Sequence, residues 1–356
     1  MTAPASPTEP RPGAEADDRD WPAVSVIMPM RNEAALIAET LGAMRRQDYP
    51  GELELVCVDG RSTDATRDIV TRIAAEDPRV RLVDNPSGRT PNAMNLGIRA
   101  ARHPLVLRMD AHAIAAPDYA RRSVAALEDQ GADCVGGRWD IVGRGYVGSA
   151  IAVALTSPFG VGTADWRSSQ TAGWTDTVPF GLWRRDRLLE LGGFDEALTR
   201  NQDYELNHRL RESGGRIWYD PAIRSTYYAR KGPRALARQY LQYGFWKARV
   251  MRLHPGSTRL RHLAAPAFVA ALAVGAVLAG ALGGVWTTLY LGGLGLYAAA
   301  SLAASALTVH RASKWSALPL LPPLFLLLHL SWGAGFWGGF ARFWLLPPPR
   351  EDREAP

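Results

Sequence analysis

The sequence predicts an α/β domain built on a mostly parallel sheet, followed by a membrane-spanning helical region. Three observations carry that prediction. β-rich runs alternate with helix-like segments through the first half, positive charge gathers in one later stretch, and three long uncharged blocks come after it.

Residues 1–20 are polar and Pro-rich, lack an apolar run, and are expected to form a disordered tail. No basic start leads into an apolar core there, so no secretory signal is expected. The domain then begins as a series of strand-helix units. VSVIMPM (24–30) precedes NEAALIAETLGAMRRQ, in which Leu36, Ile37, Leu41 and Met44 recur at helical spacing. LELVCVDG (53–60) precedes STDATRDIVTRIAA, with Ser62 as the expected N-cap and Ile69, Val70 and Ile73 on one face. VRLVDNP (80–86) precedes TPNAMNLGIRAA, and PLVLRMDAH (104–112) precedes PDYARRSVAALED. Consecutive β-then-α units imply a parallel sheet with helices on both faces, and ligands bind beyond the carboxyl ends of such strands. The polar stretches PMRNE, VDGRSTD, NPSGRTPN and DAH are therefore expected to converge on one crevice.

The turn after the first strand speaks against two nucleotide-binding classes. No G-x-G-x-x-G fingerprint occurs there, and Glu33 in PMRNE would repel a pyrophosphate. No G-x-x-x-x-G-K-[ST] sequence occurs either. Cys57 in LVCV and Cys134 in ADCVGG are expected to be packed thiols in a reducing compartment.

After His262 the composition changes. LAAPAFVAALAVGAVLAGALGGVW (263–286) and TTLYLGGLGLYAAASLAASALTV (287–309) carry no charge, and ALPLLPPLFLLLHLSWGAGFWGGF (317–340) has only His329. Each exceeds the ~20 apolar residues that cross a hydrocarbon layer. Before them, residues 229–262 contain Arg230, Lys231, Arg234, Arg238, Lys247, Arg249, Arg252, Arg259 and Arg261 with no Asp or Glu. The positive-inside rule keeps that segment cytoplasmic, as it does Arg311 and Lys314. RALARQYLQYGFWKARVMRL (234–253) is suited to lie on a membrane surface. The division expected is a tail (1–20), the α/β domain (21–228), a basic interfacial segment (229–262), about three spans (263–345) and a tail (346–356). The net charge of +6 is juxtamembrane, so anionic lipid is the expected partner and nucleic acid is not.

The set PMRNEAALIAETL, VDGRSTDAT, GRTPNAMNLGI, RMDAH and GGFDEAL…NQDYELNHRL resembles the family-2 glycosyltransferases of GT-A fold over roughly residues 23–250. DAH, QDYELN and the C-terminal spans look most like the glucosyltransferases of succinoglycan-type exopolysaccharide synthesis. That resemblance implies an inverting transfer from a nucleotide sugar. It places Pro29, Arg31, Glu33, Asp59, Arg89, Asn95 and Asp110 on the donor, with Glu33 and Asp59 on the uridine half and Asn95 bracing the crevice from its helix. Asp64 is left to stabilise its turn.

Where most relatives carry D-x-D, this chain has Asp110 and His112. Residues i and i+2 of a strand share a face, so the pair is expected to point together into the crevice and hold a divalent ion. Imidazole suits Mn²⁺ better than Mg²⁺, with Mg²⁺ the alternative. Such an ion stabilises charge on the departing diphosphate. Asp203 matches the position at which the family places its general base, in the first turn of a helix over Asp203–Arg211; Gln202 stands where Glu is commoner. On the acceptor side stand Trp174, Asp176, Phe180 and Trp246, the aromatics read either as sugar contacts or as core. QYGFW (242–246) has the spacing of the Q-x-x-R-W motif of processive synthases, but Phe245 replaces its Arg, so one sugar per encounter is expected.

The reading is a multi-pass enzyme of the bacterial inner membrane with its catalytic domain in the cytosol. It transfers a sugar, glucose first, from a UDP-sugar to a polyprenyl diphosphate-linked glycan. Its rivals are a synthase of polyprenyl-phosphate sugars and a non-catalytic sugar-binding scaffold.

Overall fold

In the computed structural model, residues 19–162 and 169–346 are described, so the expected tails fall almost entirely outside the described residues. The strands are β1 (Val24–Met30), β2 (Leu53–Asp59), β3 (Val80–Asp84), β4 (Leu105–Arg108), β5 (Ala113–Ala115), β6 (Cys134–Val142), β7 (Gly173–Trp174), β8 (Leu182–Arg184) and β9 (Ile217–Tyr228). They form one sheet in the order β3-β2-β1-β4-β8-β6-β9-β5, with β7 on β9. The β3-β2-β1-β4 half is parallel, as expected. β8 enters antiparallel between β4 and β6 and joins that half to the rest.

Both faces of the parallel half are covered, which is why β1 and β2 are mostly apolar, with Ser25 and Glu54 buried as a hydrogen-bonded pair. Val24, Val26 and Met28 enter one core with Leu55 and Cys57. Ile27 enters the other with Val56 and Val58. α1 (Ile37–Arg45), α2 (Thr66–Glu76) and α4 (Tyr119–Gln130) contribute buried residues to the first core, and α3 (Thr90–Ala100) contributes to the second. Each large aliphatic side chain buried this way contributes about 1.5–3 kcal/mol. α4 stops at Gly131, whose φ of 56° is the left-handed conformation that glycine adopts freely at a helix C-terminus. Both cysteines are buried and free.

Two local expectations are corrected. Ser62 does not cap α2, which starts at Thr66 with Ala65 at its N-cap. The Ser62 hydroxyl instead donates to Asp59 at 2.6 Å and accepts the Asn32 N–H at 3.0 Å, tying the turns after β1 and β2 together. The strand carrying Asp110 and His112 also ends earlier than expected, at Arg108. A turn closed by the Ala113 N–H on the Asp110 carbonyl comes next, and β5 leaves for another sheet edge. The pair therefore sits on a turn, and the shared-face argument does not apply to it.

The remaining helices are α5 (Gly145–Ala154), α6 (Pro158–Val161), α7 (Arg185–Glu190), α8 (Gln202–Glu212), α9 (Pro233–Leu253), α10 (Ala264–Leu282), α11 (Gly284–Ala312) and α12 (Leu321–Phe340). Three stretches, Ala264–Leu282, Gly284–Ala312 and Trp315–Leu345, are long and apolar enough to cross a membrane. α5 is also apolar and packs with Leu321, Phe325 and Leu328 of α12 and Val309 of α11 in a third core.

The basic helix α9 runs along α12. A Cβ added at Gly335 would run into the Leu241 carbonyl, at Gly339 into the Phe245 carbonyl, and at Gly244 into the Trp332 carbonyl. Small residues let the two backbones approach this closely, as they do between membrane helices.

Candidate active site

The first strand ends meet through backbone and short polar side chains. The Glu33 N–H donates to Thr66 at 2.7 Å, and the Ala34 N–H donates to Asp64 at 3.2 Å, so Asp64 ties the first turn to the start of α2. Asp59 is 2% exposed, and its carboxylate accepts from Ser62 and Arg67. Pro29 pairs with Val58 inside the sheet, Arg31 donates to the Gly88 carbonyl at 3.3 Å, and Arg89 is exposed. Asn95 is buried; its amide donates to the Phe194 carbonyl and to Glu196, each at 2.9 Å, and accepts the Phe194 N–H. It braces the GGFDE loop against α3.

Arg108, the last residue of β4, organises the centre. Its guanidinium donates to Asp110 at 3.0 and 2.9 Å and also to Asp203. Asp203 lies in the first turn of α8, where a carboxylate is favoured by the helix dipole. Burial pushes the Asp203 carboxyl up, the Arg108 charge opposes this, and the net position is above the ordinary carboxylate value. That moves an acid toward the range in which it accepts protons near neutral pH. One cation thus holds a carboxylate from the β4 turn and one from α8.

His112 turns the other way. Its Nδ1 lies 3.0 Å from a Glu33 carboxylate oxygen, and its ring meets Tyr227 edge-on at 5.8 Å. Burial pushes the imidazole down, but the bond to Glu33 and the Asp110 charge outweigh it and raise its pKa. Among the described residues its Nε2 has no hydrogen-bond partner, and no group of three or more His, Cys, Asp and Glu side chains is arranged to hold a metal. A second carboxylate oxygen of Asp110 and this nitrogen are the donors the chain offers, and both residues line the same cavity. The donor set suits a divalent ion whose remaining ligands come from a diphosphate.

The cavity has a volume of about 500 Å³. Asp110, His112, Phe180 and Asp203 line it together. Phe180 holds a left-handed φ of 47° and stacks between Arg108 and Trp139, a local strain kept where its ring faces the site. Trp174 and Trp246 are not in the lining. Trp174 packs on Trp218 under Arg216, and Trp246 packs on Phe245 and Phe343. Asp176 is held by Arg261 at 2.5 Å.

Much of the wall comes from residues that the sequence motifs do not mark. Gln239, Tyr240, Tyr243 and Lys247 line the cavity from one side of α9, and Trp246 does not. Their spacing is legible as a polar stripe through an amphipathic helix. Arg108, the one charge inside the apolar run VLRM, is a signal of a buried ion pair. The cavity also reaches Phe159 at α6, Ala264 and Ala265 in the first turn of α10, and Leu328 and Trp332 of α12.

Known proteins share both the α/β domain and the helical region. The model of Glycosyl transferase family 2 matches residues 25–185. The succinoglycan biosynthesis protein ExoA of Rhizobium meliloti is 32% identical over 88% of this chain and 93% of its own length. A Methanococcus voltae transferase is 26% identical over 64% of this chain and 74% of its own; its name describes sugar addition to a dolichyl-phosphate-linked N-acetylglucosamine. The mannosyltransferase PcManGT of Pyrobaculum calidifontis, solved with GDP-Man and Mn²⁺, superposes with a TM-score of 0.58 at 22% identity, covering 88% of this chain and 91% of its own. That likeness extends to the fold, the GT-A arrangement.

Proposed function

Because the chain belongs to glycosyl transferase family 2, we propose that it is an inverting hexosyltransferase acting on a lipid-linked glycan. The donor is a UDP-sugar, glucose first among the sugars, and the acceptor is a polyprenyl diphosphate-linked glycan of exopolysaccharide or envelope synthesis. The enzyme sits in the bacterial inner membrane with the α/β domain in the cytosol.

One observation supports this reading above others: the Asp110–Arg108–Asp203 constellation faces a cavity whose far wall is built by apolar helices. A reacting centre is thereby placed against the part of the molecule suited to lipid.

Asp110 and His112 would hold the divalent ion, Mn²⁺ preferred and Mg²⁺ the alternative. When bound, the ion neutralises charge on the departing diphosphate. Glu33 fixes the His112 ring through Nδ1, in the way a carboxylate orients a metal-ligating imidazole. Arg108 sets the distance between the carboxylate near the leaving group and the one near the acceptor. Asp203 takes the proton of the attacking hydroxyl. Attack by that hydroxyl opposite the leaving group inverts the anomeric centre, giving a β-linkage from an α-linked donor. Phe180 and the Trp139–Tyr227 stack, whose ring centroids are 4.4 Å apart, offer flat apolar surfaces to a sugar.

The test is a panel of UDP- and GDP-sugars incubated with purified enzyme and lipid extract. Nucleotide release with label transfer to the lipid fraction is expected for one of them. Label found on bare polyprenyl phosphate would replace the glycan acceptor with a lipid phosphate, and no release from any sugar nucleotide would leave the scaffold reading.

A further inference from the structure

We propose that Lys247 and Arg261 form a phosphate subsite for the acceptor, holding its isoprenoid diphosphate in the cavity that Asp203 also lines. The proposal rests on the lipid-linked acceptor of the preceding section and adds where its charged link is bound.

Lys247 is 4% exposed and lines the cavity. Its ammonium stands 3.1 Å from the centroid of the Tyr204 ring, and among the described residues it forms no ion pair. Asp176, the carboxylate in its neighbourhood, is already paired with Arg261 at 2.5 Å. An ammonium buried without a counterion is costly. Burial pushes its pKa well below the ordinary lysine value, and the Arg261 charge pushes the same way. An anion arriving in the cavity removes that cost by supplying the missing partner.

The surroundings identify which anion. Tyr204 follows Asp203 in α8, and Lys247, Tyr204 and Asp203 line the same cavity. His262, at the end of the basic segment, meets the Tyr204 ring edge-on with centroids 5.4 Å apart. Burial and the neighbouring Lys247 and Arg261 charges push this imidazole down to about 2, so Lys247 and Arg261 are the cations offered here. Beyond it the wall becomes apolar at Ala264, Ala265 and Trp332. A ligand that fills this space carries its negative charge beside Lys247, its hydroxyl toward Asp203 and its hydrocarbon along α10 and α12. An isoprenoid diphosphate linked to a sugar has those parts, with the diphosphate between the sugar hydroxyl and the hydrocarbon. The donor's diphosphate has the charge but nothing for the apolar wall.

Farnesyl diphosphate is a soluble probe, and calorimetry on the full chain in detergent reads its binding without turnover. Wild type is expected to bind it and to bind farnesol at least tenfold more weakly. Lys247→Met, which keeps the volume of the buried side chain, and Arg261→Gln are each expected to weaken farnesyl diphosphate about tenfold or more, with the affinity for UDP within twofold of wild type. Loss of UDP affinity in both variants would give the subsite to the donor and overturn the proposal. So would unchanged farnesyl diphosphate binding in both, or a wild type that does not bind the probe. In either case transfer to a lipid extract still tests the acceptor class by itself.

Discussion

Arg108 and Asp203 are joined by a direct ion pair across 95 residues of sequence, linking the end of a core strand to the first turn of α8. The same guanidinium holds Asp110, so the two carboxylates share a cation that is itself 7% exposed. This contact ties the turn after β4 and the first turn of α8 into one unit.

If Asp203 is the base, Asp203→Asn keeps the geometry and removes the proton acceptor. kcat is expected to fall by about 100-fold or more. Donor affinity, measured by calorimetry with the UDP-sugar, is expected to stay within a fewfold of wild type. Wild-type turnover in this variant would end the assignment.

Arg108→Met leaves two like charges facing each other without their cation. Breaking a buried pair from one side costs about 3 kcal/mol or more, readable as a lower midpoint in chemical denaturation. The pH profile moves as well. The Arg108 charge favours the ionised form of Asp203, so its loss raises that carboxyl's pKa further. Activity that needs the carboxylate then disappears at a higher pH on acidification, and the acid limb of kcat shifts upward.

Chelation by EDTA is expected to stop transfer, with Mn²⁺ restoring it at lower concentration than Mg²⁺. Glu33→Gln is expected to raise the Mn²⁺ needed for half-maximal activity by about tenfold, the scale of losing a carboxylate behind a metal-bound imidazole. Full activity in chelator would remove the ion from the reaction.

At the α9–α12 seam, Gly335→Val forces a side chain into the Leu241 carbonyl. Overpacking of this kind costs about 1–3 kcal/mol, so the detergent-solubilised protein should melt measurably earlier. Gly280→Val, in α10 with nothing within 4 Å of an added Cβ, is the control and is expected to change little. Equal melting of the two would mean the seam is not closed.

A reporter fused after Pro356 is expected to lie outside the cytoplasm, as three crossings from a cytosolic domain require. An inside signal would mean two or four crossings.

The parallel half of the sheet is legible in the sequence because burial on both faces leaves mostly apolar runs, as in VSVIMPM and LELVCVD, where the buried Ser25 and Glu54 bond to each other. The uncharged C-terminal blocks are legible by length alone. Direction at chain reversals is not. Asp110 and His112 look like neighbours on one strand face, but β4 ends at Arg108 and the turn sends one side chain to Arg108 and the other to Glu33. Trp246 draws notice through a motif, whereas the face of α9 that meets the cavity is set by where α12 packs, through contacts that Gly335 and Gly339 make from far along the chain. Lys247 reads as a surface charge for the same reason.

The glycine seam between α9 and α12 leaves no slack between the sugar-handling domain and its anchor. A flexible tether would let the reactive carboxylate sample many elevations above the bilayer; backbone locked on backbone fixes one. If Asp203 is the base and the acceptor is lipid-linked, the fold acts as a gauge: a hydroxyl presented too near or too far from the lipid plane misses that carboxylate, whatever sugar carries it.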